Sequence, residues 1–233
     1  KNIKLDIKTK DVDFAILVKN WDEFEKIKKL LKDEKAMTQD PKKSYRLFLG
    51  NIPIDLIPFG EIAEPGATVN WPGSFRARMK VMGFKEAFDC AVDINLNSTI
   101  VKVIIPEMLV ALKLSSWSLS SGRGKDAMDI KLVLENVKTL CPDLDNDFHE
   151  DRNESLLEKY VNDEEGFWIS TLGARIQVIL NGNDLSSYLK NMVQGTSTMN
   201  SFLRDMNEGN VPDQETEESL RKMLGPLIDG LLL

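Results

Sequence analysis

Histidine and cysteine are nearly absent from this chain of 233 residues. His149 is the only histidine, and Cys90 and Cys141 are the only cysteines. That inventory excludes a closed zinc site of the usual Cys/His kind, and it leaves no histidine-based nucleophilic machinery unless His149 supplies it alone. His149 lies in Asp147-Phe148-His149-Glu150-Asp151, which reads as an acidic, solvated loop. Two cysteines without a matched spacing are expected to be reduced thiols of a cytoplasmic protein. No apolar run is long enough to span a bilayer, so no membrane partner is expected. Basic excess is missing as well: the net charge is −7, which excludes a surface broadly committed to nucleic acid while leaving room for a local groove. Lys26, Lys28, Lys29, Lys32 and Lys35 read as a solvated helix face, and Arg76, Arg78 and Lys80 as a second basic segment close to a carboxylate strand.

What the chain does have is acid in unusual places. Asp11 and Asp13 stand two apart in Thr9-Lys10-Asp11-Val12-Asp13-Phe14, and Asp55 interrupts the apolar run Ile52 to Phe59. Residues i and i+2 of a strand share a face. Asp11 and Asp13 therefore project together, with Val12, Phe14, Ile16 and Val18 expected to fill the buried face. A carboxylate inside an apolar strand is costly unless paired or metal-bound. Three carboxylates from two neighbouring strands form an oxygen cradle suited to Mg²⁺, the ion of phosphoryl and nucleotidyl transfer. Asp55 is the expected proton acceptor for an incoming hydroxyl.

The spacing predicts an α+β chain: a small mixed-sheet core over residues 1–105, then a helical domain over 106–233. Strands are expected at Val12–Val18, at Tyr45–Leu49 and Ile52–Pro58 joined by Gly50-Asn51, and at Ala91–Leu96 and Ile100–Ile105 joined by Asn97-Ser98. A helix capped by Asn20 carries Trp21, Phe24, Ile27, Leu30 and Leu31 at helical spacing. Gly60 to Gly73 reads as loop. Pro106 opens a helix that runs to about Trp117, and further helices are expected at Asp126–Leu140, Glu154–Val161, Gly166–Leu180, Leu185–Val193 and Glu217–Leu224. Lys113, set in Val110-Ala111-Leu112-Lys113-Leu114, needs either a path to solvent or a partner. Ser121-Gly122-Arg123-Gly124-Lys125-Asp126 precedes a helix on which Asp126 and Asp129 share a face. It is not a P-loop, because Lys125 is followed by Asp and not by Ser or Thr.

Taken in order, these pieces resemble the AbiEii-type nucleotidyltransferases of the polymerase-β-like superfamily. They are Thr9 to Ala15; Ile54-Asp55-Leu56-Ile57-Pro58-Phe59-Gly60; Trp71-Pro72; Met82 to Ala87; Leu112-Lys113-Leu114 with Trp117; and Arg123, Lys125-Asp126 and Asp129. Leu172-Gly173-Ala174-Arg175 matches more loosely. The resemblance implies Mg²⁺ held by Asp11, Asp13 and Asp55, and a nucleoside triphosphate as substrate. It implies Lys113 as a phosphate contact and Asp126 or Asp129 as the acidic residue of the last motif, with Arg123 and Lys125 joining Lys113 as expected nucleotide contacts. RNA or tRNA is the expected acceptor and an antitoxin protein the expected partner, since many members are toxins of type IV toxin–antitoxin pairs. A Gly-Ser motif upstream of Asp-x-Asp has no counterpart in Lys1 to Lys8; a preceding segment is expected to supply it. The alternatives are an inactive interaction protein that keeps the fold, or a transferase acting on a small molecule such as an aminoglycoside.

Overall fold

A computed structural model describes residues 11–72, 78–120, 122–149 and 153–233, with the side chains of Phe148 and His149 left aside. Thr9, Lys10, Arg76, Ser121 and the segment Lys1 to Lys8 lie outside these residues, as does the His149 side chain. The chain is α+β and divides into two compact units, one ending at Lys85 and the other comprising Glu86–Leu233.

The first unit is built on a four-stranded mixed sheet. Its elements are β1 (Val12–Leu17), α1 (Trp21–Lys35), β2 (Thr38–Gln39), β3 (Arg46–Leu49) and β4 (Ile52–Phe59), with the sheet ordered β1-β4-β3-β2. β1 runs parallel to β4, as a strand–helix crossover requires, while β3 and β4 form a hairpin. Gly50, at φ 59°, makes that hairpin's two-residue turn possible. Asn20 caps α1 by accepting from the Glu23 N–H at 3.0 Å. One sheet face and α1 enclose a core of Val18, Phe24, Leu47, Ile54, Leu56 and Trp71. Trp71 lies 5.0 Å from Trp21 and 5.5 Å from Phe24, centroid to centroid.

Several expectations need correcting here. Val12 and Phe14 are not buried but 44% and 43% exposed, because the core gathers only the Ile16–Val18 end of β1. Leu30 is exposed too. Lys28, placed on a solvated face, is instead buried, paired with Glu25 at 3.1 Å and lying over the Phe24 ring. The stretch read as loop contains β5 (Thr68–Asn70), which pairs with β6 (Arg78–Lys80). Three-residue strands carry too little alternation to be seen in sequence.

In the second unit come α2 (Phe84–Asp89, beginning in the first unit), the hairpin β7 (Val92–Leu96) and β8 (Thr99–Val103), and then helices: α3 (Pro106–Leu119), α4 (Gly124–Glu135), α5 (Val137–Leu140), α6 (Glu154–Lys159), α7 (Glu164–Leu180), α8 (Asp184–Val193), α9 (Thr196–Met206) and α10 (Gln214–Leu232). The single helix expected over 126–140 is two. Asn136 breaks it, its side chain donating to the Leu132 carbonyl at 2.9 Å and its N–H to that of Val133 at 3.2 Å. α9 was not anticipated, and α10 extends well past Leu224, through Pro226. α7 and α10 cross in close contact where Gly173 meets Gly230. Asp147, read as exposed, is buried and accepts from Arg175 Nε at 2.7 Å and Nη2 at 2.8 Å. No helix among the described residues is long and apolar enough to cross a membrane.

Candidate functional site

The sheet of the first unit brings the acidic residues to one face. Asp13 on β1 is the register partner of Asp55 on β4, and Asp55 in turn is opposite Arg46 on β3. Register partners on neighbouring strands project to the same face. Asp11 has the parity of Asp13 and sits just before β1. The opposite parity, Ile54 and Leu56, fills the core, so the alternation that buries those side chains also fixes where the carboxylates go.

Arg46 joins them. Its Nε donates to Asp55 Oδ1 at 2.5 Å, and its Nη2 donates to Asp55 Oδ2 at 2.7 Å and to Asp11 Oδ2 at 3.0 Å. This is the two-pronged guanidinium–carboxylate geometry that makes arginine a specific partner for planar anions. Asp55 is 9% exposed, so its charge demands compensation, and Arg46 provides it. Hydrogen bonding to Asp55 raises the Arg46 pKa above its ordinary value, so the guanidinium is permanently charged. Sequence reasoning missed Arg46. A signal was available: counting outward from the two-residue turn at Gly50-Asn51 pairs residue 46 with 55.

Whether these residues suit Mg²⁺ turns on two observations. The donor chemistry fits: all three are hard carboxylate oxygens on one face, and the place of a cation between Asp11 and Asp55 is taken by the Arg46 guanidinium, itself a cation. A metal would therefore have to take Asp55 from Arg46. In the arrangement at hand, no group of three or more His, Cys, Asp or Glu among the described residues is set to ligate an ion.

The second unit gathers most of the other expected residues. Lys113, on the third turn of α3, donates to Asp129 Oδ2 at 2.6 Å and to Asp126 Oδ1 at 3.3 Å. Arg123 Nε donates to Asp126 Oδ2 at 2.7 Å, and Arg123 Nη2 to the Ser116 hydroxyl. Asp126 is buried and doubly paired. Lys113, the lysine set among apolar neighbours, thus has partners from the helix beside it, and the shared face of Asp126 and Asp129 is what supplies them. Lys125 is exposed on the first turn of α4 and stands apart from this cluster. Arg123 also lines an open polar cleft of about 410 Å³, together with Trp117, Ser197, Thr198, Arg204 and Asp205. Trp117 Nε1 donates to Asp205 at 2.8 Å, which anchors α3 to α9 across that cleft.

Comparison with protein-family models, with curated proteins and with solved structures returned no match.

Proposed function

We propose that this chain is a nucleotidyltransferase, moving a nucleoside monophosphate from a nucleoside triphosphate to an acceptor hydroxyl. One observation carries the reading: the parallel β1–β4 register that sets Asp13 beside Asp55, with Asp11 on the same face. The order of motifs in the sequence supports it. Asp11, Asp13 and Asp55 would hold Mg²⁺, which when bound supplies charge neutralisation for the triphosphate. The protein's own groups do the rest. Lys113, paired with Asp126 and Asp129, and Arg123, paired with Asp126, are the cations of the second unit to which the resemblance gives the role of nucleotide contact. Asp55 accepts the proton of the attacking hydroxyl once Arg46 has released one of its oxygens. RNA, including tRNA, is the proposed acceptor, and an antitoxin the proposed protein partner.

Isothermal titration with each of the four nucleoside triphosphates, with and without Mg²⁺, tests this reading. Binding of at least one should require Mg²⁺ and weaken by about tenfold or more in Asp13→Asn and Asp55→Asn, as expected when a ligand of a tight ion is removed. No binding, or variants that bind as the parent does, overturns it. A second reading has its own support. With Arg46 already satisfying Asp55 and Asp11, the same face is stable without any ligand, as in an interaction protein that keeps the fold and has lost the chemistry. The titration separates the two.

A further inference from the structure

We infer that the open cleft between α3 and α9 binds a sugar phosphate, its phosphate held by Arg204 and Arg123 and a sugar hydroxyl by Asp205. The cleft lies wholly within the second unit. The inference goes beyond the nucleotidyltransferase reading, which uses only Arg123 of this cleft, and it calls on neither the carboxylate face nor a metal.

Two guanidinium groups line the cleft, and only one is matched. Arg123 gives Nε to Asp126 and Nη2 to the Ser116 hydroxyl. Arg204, on the last turn of α9, is exposed, and its guanidinium has no hydrogen-bond or ion-pair partner among the described residues. Arg46, Arg175 and Arg221 each hold a carboxylate. Arg204 has one beside it in sequence, yet Asp205 is turned instead to Trp117 Nε1, at 2.8 Å. Like charges lining one cleft repel, and an anion between them removes that cost. Much of the remaining lining donates as well: the hydroxyls of Ser120, Ser197, Thr198 and Ser201 make no hydrogen bond among the described residues. One guanidinium fork satisfies a carboxylate. A phosphate ester carries oxygens on several sides and meets a fork and hydroxyls at once. The volume of about 410 Å³ is more than a phosphate fills and lies in the range of small-molecule pockets. Beyond the cations the cleft offers an acceptor, the Asp205 oxygen that Trp117 leaves over, and this suits a hydroxyl, which can donate to it. The Trp117 ring, set edge-on against Phe202 at 4.8 Å, walls that end. A phosphate followed by a hydroxyl-bearing ring matches this order of groups. The same unit occurs as a free sugar phosphate and as the repeat of an RNA strand, and an open cleft admits either.

The test is a nuclear magnetic resonance titration of the ¹⁵N-labelled full chain in EDTA, followed at the indole N–H of Trp117. Trp117→Phe identifies that resonance among the four tryptophans. Ribose 5-phosphate should shift it saturably and leave those of Trp21 and Trp71 in place. Ribose and inorganic phosphate should each bind about tenfold more weakly or less, since each lacks half of the contacts. Arg204→Gln should keep the parent's spectrum, as an exposed side chain without partners allows, and bind ribose 5-phosphate about tenfold more weakly, the usual size for a lost charge-assisted hydrogen bond. Tetrauridylate without a terminal phosphate separates the two sources: tighter binding than ribose 5-phosphate assigns the cleft to an RNA strand, and weaker binding assigns it to a free sugar phosphate. A Trp117 resonance that moves with neither ligand overturns the inference. So does an Arg204→Gln variant that binds as the parent does, or inorganic phosphate that binds as tightly as ribose 5-phosphate. With Mg²⁺ and nucleoside triphosphate both left out, those failures leave the nucleotidyltransferase reading standing, and failure of the triphosphate titration leaves this inference standing.

Discussion

Arg175 shows how one side chain can organise half of a molecule. Its guanidinium meets Asp147 at 2.7 and 2.8 Å, Asp143 at 3.1 Å and Glu107 at 3.3 Å, tying α7 to α3 and to the turn that follows α5. Asp147 and Glu107 are buried. Removing the arginine leaves their charges without compensation, so Arg175→Met should destabilise the protein by about 3–5 kcal/mol in chemical denaturation. Asp143 is held below the usual carboxylate range chiefly by the hydrogen bond its carboxylate accepts from Arg175 Nη1. A carboxyl whose folded pKa is depressed contributes stability above its unfolded pKa and loses that contribution as the pH falls through the folded value. Urea melts should therefore show the parent losing stability on acidification below about pH 4, and Asp143→Asn losing less. Cys141 behaves in the opposite sense. Burial pushes its thiol up to about 12, so it stays protonated and unreactive at pH 8, and its favourable contribution fades only as alkali rises past the unfolded thiol pKa. In native protein at pH 8, iodoacetamide should label the half-buried Cys90 well before Cys141.

At the level of elements, the crossing of α7 and α10 depends on two missing side chains. A Cβ on Gly230 would stand 1.9 Å from the Ser170 carbonyl oxygen, and one on Gly173 would stand 2.6 Å from that of Leu227. Both obstacles are backbone, which cannot swing aside. Gly230→Ala should thus lower stability by about 2–3 kcal/mol, the range of an overpacked core. Gly225, on the same helix, faces open space, and its helix gain as alanine is offset by the crowding that Pro226 imposes on the residue before it. Gly225→Ala should change stability by no more than about 0.5–1 kcal/mol, and thermal melts of the two variants side by side provide the comparison. Elements with strong local signals were legible in sequence. Asn20 with Asp22 and Glu23 marked the start of α1, Pro106 that of α3, and Gly50-Asn51 and Asn97-Ser98 the two hairpins. α9 was not legible, because its first residues Thr196-Ser197-Thr198 are weak helix formers and it is the burial of Met199, Phe202, Leu203 and Met206 that holds the helix. The Asn136 break was missed for a related reason: a periodic apolar pattern runs through it, and only the side chain's bond back to Leu132 reveals the end.

At the scale of the whole chain, the α+β composition was readable, since the strand signals crowd the first half and the helical periods the second. The candidate site was readable in part. Parity alone placed Asp11, Asp13 and Asp55, because alternation is a property of strands wherever they lie. The shared face of Asp126 and Asp129 was legible from their i, i+3 spacing, but Lys113 as their partner was not, because local periodicity does not tell which helices are neighbours. Arg46 was hidden by its own neighbourhood: Tyr45, Leu47, Phe48 and Leu49 make it look like an incidental charge in an apolar strand. Each unit carries its own buried residues, the first around Phe24 and Trp71, the second around such side chains as Leu156, Phe167 and Ala174. The fragment Glu86–Leu233, expressed alone, should therefore give a helical circular dichroism spectrum and a single cooperative thermal transition; a gradual, uncooperative loss of signal would contradict its independence.

The brevity of the turn between β3 and β4 has a genetic corollary. Only Gly50 and Asn51 separate Leu49 from its partner Ile52, so the spacing leaves no slack to absorb a length change. A codon inserted in β4 between the turn and Asp55 would invert the strand from there on, thrusting Asp55 toward Phe24 and Trp71 and presenting Ile54 to the acidic side. Lineages descended from this sequence should thus vary in the length of the stretch after β4 far more readily than in the few residues between Leu49 and Asp55.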